Sequence, residues 1–385
     1  MTVKSLLSWR WHVADHEFCR RHVEALLEEA DVQIGGNRPW DIQVKDPRFF
    51  RRVLADGSLG LGESYMDGWW ECERIDELVF RLFRSGIADR VRSWWDILAH
   101  LQAKLLNLQN LKRAFQIGER HYDIGNDLYE AMLDRLMVYS CGYWKGVATL
   151  DEAQEAKLDL IARKLQLEPG MRVLDIGCGW GGAAKFMAER YRVEVYGVTV
   201  SKEQCRYARE FCRGLPVEIE LKDYREITGR FDRGFSIGMF EHVGYKNYRT
   251  YMEVVRRVLP EEGLFLLHTI GNNLSQTGGD PWVTKYIFPN SMVPSIKQLG
   301  AAMEGLLIVE DWQNFGPDYD KTLLAWHANF ERNWPELKKR YDERFRRMWR
   351  FYLLGFAGCF RARRLQLWQI VLTPGGRFER YDAPR

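Results

Sequence analysis

From about residue 150, short runs rich in Val, Ile and Leu alternate with stretches of helical periodicity, and no other feature restricts the fold as strongly. The periodicity predicts a helix over 152–166, a strand over Met171–Gly177, a helix over 181–190 and a strand over Val193–Val200. A helix over 201–213 follows, then strands over Val217–Lys222 and Phe231–Gly238, a helix over 247–259 and a strand over Gly263–Thr269. Leu306–Asn314 and Leu365–Leu372 read as strands flanking a long helical region from about 318 to 362. Strands this continuously apolar are covered on both faces. The implied class is α/β, a doubly wound, mostly parallel, seven-stranded sheet.

The first hundred or so residues differ. Segments 5–30 and 74–106 carry helical periodicity, and the Gly- and Pro-punctuated stretch between them breaks regular structure. The expected organisation is a small, mainly helical domain over 1–105, a connector over 106–120 and a catalytic domain over 121–385.

Within the sheet the informative segment is Val173-Leu174-Asp175-Ile176-Gly177-Cys178-Gly179-Trp180-Gly181-Gly182. A buried strand here runs through a glycine turn into a helix, the place where doubly wound sheets hold nucleotides. Gly177, Gly179 and Gly182 satisfy G-x-G-x-x-G, so a nicotinamide or flavin dinucleotide is the first candidate ligand. Such a ligand wants an acid about 20 residues on, at the end of the second strand, to bind a ribose. This strand ends Gly197-Val198-Thr199-Val200-Ser201, with no acid. Asp175 instead precedes the glycines, where a methyltransferase places a carboxylate near the methionine end of its sulfonium ligand.

Composition narrows the class further. A formal net charge of +3 over 385 residues gives no reason to expect nucleic acid. The seven cysteines are scattered with no C-x-x-C pair, which argues against a disulfide framework or a zinc site and for a reducing compartment. No run approaches the ~18 apolar residues of a membrane span. A cytoplasmic location is the expectation.

Long stretches of the chain resemble the cyclopropane-fatty-acyl-phospholipid synthases. They include RPWDIQVKDPRFFRRVLADGSLGLGESYMDGWW, HYDIGNDLYEAMLD, YSCGYW, VLDIGCGWGG, VTVSKEQ, MFEHVG, LLHTIG, DPWVTKYIFPN, NFGPDYDKTLLAW and FRARRLQLWQIV. The N-terminal stretch points to the two-domain bacterial type. The resemblance implies the sheet of S-adenosylmethionine-dependent methyltransferases. It also implies a reaction in which the cis double bond of a phospholipid acyl chain attacks the methyl of S-adenosylmethionine. The cation then loses a proton from the added methyl to a bound bicarbonate and closes a cyclopropane ring.

Carried over residue by residue, the resemblance assigns the S-adenosylmethionine site to Tyr139, Ser140, Asp175, Gly177, Gly179, Trp180, Thr199, Gln204, Asp223 and Tyr224. It assigns the bicarbonate site to Cys141, Glu241, His268, Ile270 and Tyr319. Read from the residues alone, Thr199 and Gln204 equally suit an ordinary helix start capped by Ser201. A carboxylate at Glu241 would repel bicarbonate, so its expected task is to orient His268 or to accept a hydrogen bond from the bicarbonate hydroxyl. Cys141 is expected as a small residue whose N–H faces the ion, since the sulfonium already supplies an activated methyl and no covalent nucleophile is needed. Tyr143, Trp144, Phe240, Trp282, Tyr286 and Phe288 are candidates for an acyl tunnel, or for core.

The resemblance also implies peripheral association with the inner face of the cytoplasmic membrane, and a homodimer. Arg48, Arg51, Arg52, Arg81 and Arg84 with Phe49, Phe50, Trp69 and Trp70 are candidate docking residues, as is the Arg- and aromatic-rich stretch Arg344–Arg364, although such spacing more often gives a helix with one buried and one solvated face. The C-terminal TPGGRFERYDAPR reads as a loose tail. The competing activity is methylation of an acyl chain, or of a small-molecule amine, without ring closure.

Overall fold

The structure, a computed structural model, describes residues 15–90 and 125–385. The predicted connector over 106–120 lies outside the described residues, as do 5–14 and 91–105 of the N-terminal prediction. In chain order the first elements are α1 (His16–Glu29), β1 (Gln43–Val44), α2 (Arg48–Met66), β2 (Trp70–Glu71), α3 (Ile75–Arg84) and α4 (Ile87–Arg90). Next come α5 (Asn126–Met132), α6 (Leu150–Lys164), β3 (Arg172–Ile176), α7 (Gly182–Tyr191), β4 (Glu194–Thr199), α8 (Lys202–Phe211) and β5 (Val217–Leu221). Then follow β6 (Arg233–Ile237), α9 (Tyr248–Val258), β7 (Leu264–Asn272), α10 (Pro281–Tyr286) and α11 (Ile296–Met303). The last are β8 (Ile308–Asn314), α12 (Pro317–Leu337), α13 (Glu343–Arg361) and β9 (Leu365–Thr373).

These elements form two compact units, neither continuous in sequence. One holds Met1–Leu106, Thr277–Pro289 and Trp326–Arg364; the other holds Asn107–Gln276, Asn290–Ala325 and Leu365–Arg385. The chain is therefore not partitioned at a single connector: α10 and α13 belong with the N-terminal helices.

The second unit is built on the seven-stranded sheet expected from the alternation, in the order β5-β4-β3-β6-β7-β9-β8. Strands β3 to β7 pair in parallel, and β9 runs antiparallel to both β7 and β8. Side chains leave a strand on alternate faces, so the apolar strands feed two cores. Leu174, Ile176, Phe265 and Leu267 bury on one face, while Val173, Phe235, Leu264 and Leu266 bury on the other. Because both faces are covered, the free ends of β3, β4 and β6 carry the ligand crevice, as the doubly wound topology requires. Helix α6 starts in a capping box, with Thr149 accepting from the Glu152 N–H and the Glu152 carboxylate accepting from the Thr149 N–H.

In the first unit β1 and β2 form a short antiparallel ribbon, with Val44 opposite Trp70. Its core is aromatic: Tyr65 and Trp70 lie 4.9 Å apart, and Phe351 of α13 lies 4.9 Å from Trp282 of α10. A Cβ added at Gly358 would sit 2.4 Å from the Asp76 carbonyl oxygen, so α13 needs glycine there to approach α3 closely. Arg361 clamps the same junction through Asp76 at 2.8 Å.

This packing overturns part of the docking expectation. Phe49, Phe50 and Trp70 are buried in this core, together with Trp349, Phe351 and Tyr352 of α13. Arg347 donates to the Trp70 carbonyl and pairs with Glu71, and Arg81 pairs with Glu77 and Asp31. The mix of arginine and aromatic residues that suggested an interfacial anchor is here a helix with one buried face and internally paired arginines.

The C-terminal tail is also held more firmly than its composition suggested. Lys164 of α6 is fully buried and bonds Asp311 of β8 at 3.0 Å, and Arg385 grips the same carboxylate with bonds of 2.8 and 2.5 Å. The Tyr381 hydroxyl donates to the Lys164 carbonyl at 2.7 Å. Burial lowers the Lys164 ammonium to about 8 even with its partner in place. Removing Asp311 leaves that ammonium buried with no counter-charge, whereas removing Lys164 leaves Asp311 paired with Arg385. Asp311→Ala is therefore expected to cost about 3 kcal/mol in a urea titration at neutral pH, and Lys164→Met about 1 kcal/mol. Equal losses would mean that the three groups do not act as one network.

Candidate active site

The turn after β3 is shaped by glycine at two points. Gly177 has φ +87°, and a Cβ there would meet the Met239 side chain at 2.6 Å. At Gly182, the first residue of α7, a Cβ would lie 1.7 Å from the Leu136 carbonyl oxygen, so the helix start is pressed onto the 133–141 segment. The Gly177 and Cys178 N–H groups both donate to the Val198 carbonyl, tying the turn to the end of β4. A cavity opens beside this turn, walled by the ends of β3, β4 and β6 and by residues 137–140.

All ten residues expected to hold S-adenosylmethionine line this one cavity: Tyr139, Ser140, Asp175, Gly177, Gly179, Trp180, Thr199, Gln204, Asp223 and Tyr224. Asp175 is almost wholly buried, its Oδ2 has no hydrogen-bond partner, and burial pushes its carboxyl up to about 8. An orphaned buried carboxyl facing a cavity is suited to a cationic ligand group. Thr199 donates to Gln204 Oε1 at 3.0 Å, while Ser201 caps α8 by accepting from the Gln204 N–H. These residues thus begin α8 and also line the cavity. Asp223 is buried and clamped by Arg225 through bonds of 2.7 and 2.8 Å, with Tyr224 beside it. Trp180 donates to Asn126 at 3.0 Å and meets Tyr129 at 4.6 Å, which in turn meets Tyr139 at 5.3 Å. The same wall contains residues the sequence reading did not select, among them Met137, Met239 and Arg225. His242 is another, its imidazole held down to about 4 by burial.

The second set is spread over four segments of the chain. Glu241 lies in the short turn Phe240–His242 after β6, His268 and Ile270 in β7, Cys141 just past the cavity wall, and Tyr319 in the first turn of α12. Glu241 and His268 are buried, and each keeps an orphaned polar atom, Oε2 and Nε2 respectively. The other carboxylate oxygen of Glu241 accepts from the Ile270 N–H at 2.7 Å, and burial pushes this carboxyl up to about 7. His268 Nδ1 faces the Gln369 amide nitrogen at 3.4 Å. Of the two tasks expected for Glu241, orienting the histidine ring belongs instead to Gln369.

With Gln369 donating to Nδ1, the imidazole carries its hydrogen on Nε2 and presents a donor. Burial holds the ring well below its ordinary pKa, so it is neutral. A buried neutral N–H donor and a buried acid near its midpoint, each with one unpartnered polar atom, are groups of the kind that a small hydrogen-bonding anion such as bicarbonate would need. The Ile270 N–H is already taken by Glu241. Phe315 stands 5.8 Å from the His268 ring and 5.3 Å from Tyr143, closing an apolar wall there.

Cys141 is fully buried, burial pushes its thiol well above the usual range, and Sγ meets the Gly142 carbonyl at 3.1 Å. A protonated, hydrogen-bonded thiol is no nucleophile. Of the six aromatics offered for an acyl tunnel, Tyr143 lies against this wall, and the Trp144 indole donates to Thr322 at 2.9 Å. Phe240 stacks on Tyr248 in the sheet core. Trp282, Tyr286 and Phe288 belong to the other unit.

Comparison with known proteins places this geometry. The family model described as mycolic acid cyclopropane synthetase matches residues 109–370. The cyclopropane-fatty-acyl-phospholipid synthase of Escherichia coli strain K12 is 54% identical over 356 residues, covering 92% of this chain and 93% of that protein. A probable fatty acid methyltransferase of Pseudomonas putida is 36% identical over 69% of this chain and 70% of its own length. Among solved structures, the cyclopropane synthase MmaA2 from Mycobacterium tuberculosis superposes with a TM-score of 0.64 at 30% identity, over 67% of this chain and 98% of that one. The mycolic acid cyclopropane synthase CmaA1, complexed with SAH and CTAB, does so with a TM-score of 0.63 at 32% identity, over 67% and 98%. The chain is an S-adenosylmethionine-dependent methyltransferase by fold and belongs to the mycolic acid cyclopropane synthetase family.

Proposed function

We propose that this protein is a cyclopropane-fatty-acyl-phospholipid synthase, transferring a methylene from S-adenosylmethionine to the cis double bond of a phospholipid acyl chain. The observation that carries the reading is the junction of the two residue sets. The cavity wall that ends at Ser140 continues directly into Cys141, the turn after β6 that borders the cavity at Met239 and His242 also bears Glu241, and His268 pairs in register with Ile237 at the end of β6. The Escherichia coli relative, named a cyclopropane-fatty-acyl-phospholipid synthase, supports the phospholipid substrate, since its match runs over 92% of this chain.

In this reading S-adenosylmethionine supplies an activated methyl as substrate, and bicarbonate, when bound, supplies a proton acceptor. The protein contributes position and dryness. An alkene is a weak nucleophile, so holding it in line with the methyl and excluding water account for most of the rate gain. Phe315 lies beside His268 and Tyr143 lies against Phe315, an aromatic cluster that suits a developing cation. His268 donates from Nε2 and so holds an anion in place. Glu241 Oε2 accepts a hydrogen bond from an anion's hydroxyl while Oε1 stays fixed on the Ile270 N–H. Deprotonation of the added methyl beside the cation then closes the ring; the competing outcome, a retained methyl branch, requires that the proton be lost from a chain carbon instead, leaving a double bond.

A bilayer-borne substrate requires docking, so the same reading includes peripheral association with the inner face of the cytoplasmic membrane and, as a further part, a homodimer. No helix among the described residues is long and apolar enough to cross a membrane.

Purified protein incubated with S-adenosylmethionine and vesicles of cis-unsaturated phospholipid should convert olefinic proton signals into high-field cyclopropane signals. A branched methyl or surviving olefin at the same mass gain would leave a methyltransferase without ring closure. Glu241→Gln should lower kcat about a hundredfold with S-adenosylhomocysteine affinity unchanged in calorimetry; parallel loss of both would make Glu241 part of the nucleotide site. The Asp175 carboxyl, at about 8 in the free protein, is protonated at lower pH. An ammonium or sulfonium beside it favours the carboxylate, so binding releases a proton. S-adenosylhomocysteine affinity should therefore rise up to about tenfold per pH unit between about pH 5.5 and 7, and Asp175→Asn should flatten that rise. An equal slope in the variant would assign the proton to another group.

A further inference from the structure

Helix α6 turns an unusual face inward. Its buried stripe runs Leu150, Ala153, Gln154, Lys157, Leu158 and Ile161, the i, i+3, i+4, i+7 pattern of a core helix, yet Gln154 and Lys157 are both at 0% exposure. A fully buried lysine is rare unless it is bonded and has a task. The Lys157 ammonium donates to Ser140 Oγ at 2.8 Å and to Gln154 Oε1 at 2.6 Å. Gln154 in turn donates to the Ser140 carbonyl at 2.8 Å and the Val138 carbonyl at 3.2 Å. From the other side Asp134 accepts from the Leu136 and Val138 N–H groups, each at 2.9 Å. The segment that walls the cavity is thus fixed from beneath by a polar cage with Lys157 at its centre.

We propose that Lys157 is a positioning residue for the methyl donor. By donating to Ser140 Oγ it commits that oxygen as an acceptor and leaves the hydroxyl hydrogen for the carboxylate end of a methionine-bearing ligand. Ser140 lines the cavity, and its hydroxyl donates to no other group among the described residues. A carboxylate entering the cavity also meets the field of a fully buried ammonium. The neighbouring acid, Asp134, is engaged by backbone donors rather than bonded to the ammonium. Burial brings Lys157 down to about 7, the mark of a lysine with less compensation than it needs, and its charge is felt at Cys141 and at His268. A ligand carboxylate near Ser140 would supply what is missing. Asp175, the orphaned acid of the same cavity, then meets the ammonium of the same amino-acid group. The assignment rests on the reading that the cavity takes S-adenosylmethionine, but not on what the methyl is transferred to.

The test compares two ligands by calorimetry on the whole protein. S-adenosylhomocysteine carries the amino-acid carboxylate; 5′-methylthioadenosine lacks that group but keeps the nucleoside and the sulfur. Lys157→Met should weaken S-adenosylhomocysteine about tenfold or more while leaving 5′-methylthioadenosine within about twofold of wild type. Should Lys157→Met not fold, Ser140→Ala, which deletes one hydroxyl and keeps the cage lysine, must show the same selectivity. In a folded pair, the double variant should lose little more than either single one. Unchanged S-adenosylhomocysteine affinity, or an equal loss for both ligands, would overturn the assignment and leave Lys157 as scaffold. If the wild type shows the selectivity yet makes no cyclopropane, the proposed reaction fails while this inference stands.

Discussion

Desolvation along β3 and β7 and in the turn after β6 is the constraint on which the rest of the molecule depends. A sheet covered on both faces has no solvated side, so a polar side chain within its strands is removed from water. Asp175, Glu241 and His268 are each buried there with one polar atom unpartnered. The cost of such groups is of order 1–3 kcal/mol apiece, and a fold retains them only where something else completes them. Burial also sets their protonation. The two acids move up, to about 8 and about 7, while the imidazole is kept neutral. A site with little net charge of its own, neutral donors and adjustable acids suits a reaction whose partners are a cationic methyl donor, an apolar alkene and a small anion.

Most of the second unit was legible in the residues, because its signals are local. The unbroken apolar run Leu264–Leu267 marks a strand covered on both faces, and the glycine turn after Ile176 marks the ligand end of the sheet. Asp175 was legible from its place just before that turn, where a methyltransferase holds a carboxylate. Ser201 as a cap and Gln204 as a cavity residue proved compatible, since one uses its side chain and backbone at the helix start and the other points its amide inward.

What sequence patterns did not convey is which distant segments share a core. Helix α13 reads as basic and aromatic at helical spacing, and such a stripe looks alike whether its apolar face meets lipid or protein. Only the close approach at Gly358 and the Arg361 pair with Asp76 decide the matter. The tail likewise looked loose by composition, while a single buried lysine on α6 supplies the anchor that Asp311 and Arg385 share. The signal for Lys157 was present but unread: Gln and Lys at stripe positions where a core helix wants Leu or Ala. Gln369 in place of Glu241 as the partner of His268 could not be foreseen, because it depends on the antiparallel register of β9 against β7, where the two residues are directly paired.

The central claim is that the site quenches a cation by removing a proton from the transferred methyl. Its most direct test uses S-adenosylmethionine deuterated at that methyl, with vesicles of cis-unsaturated phospholipid, and reads the isotope content of the recovered acyl chain by mass spectrometry. The account predicts a product that retains all but one of the methyl deuterons and carries a cyclopropane. A product retaining every deuteron as an intact methyl would contradict it, and would mean that the buried set around Glu241 and His268 does not direct deprotonation.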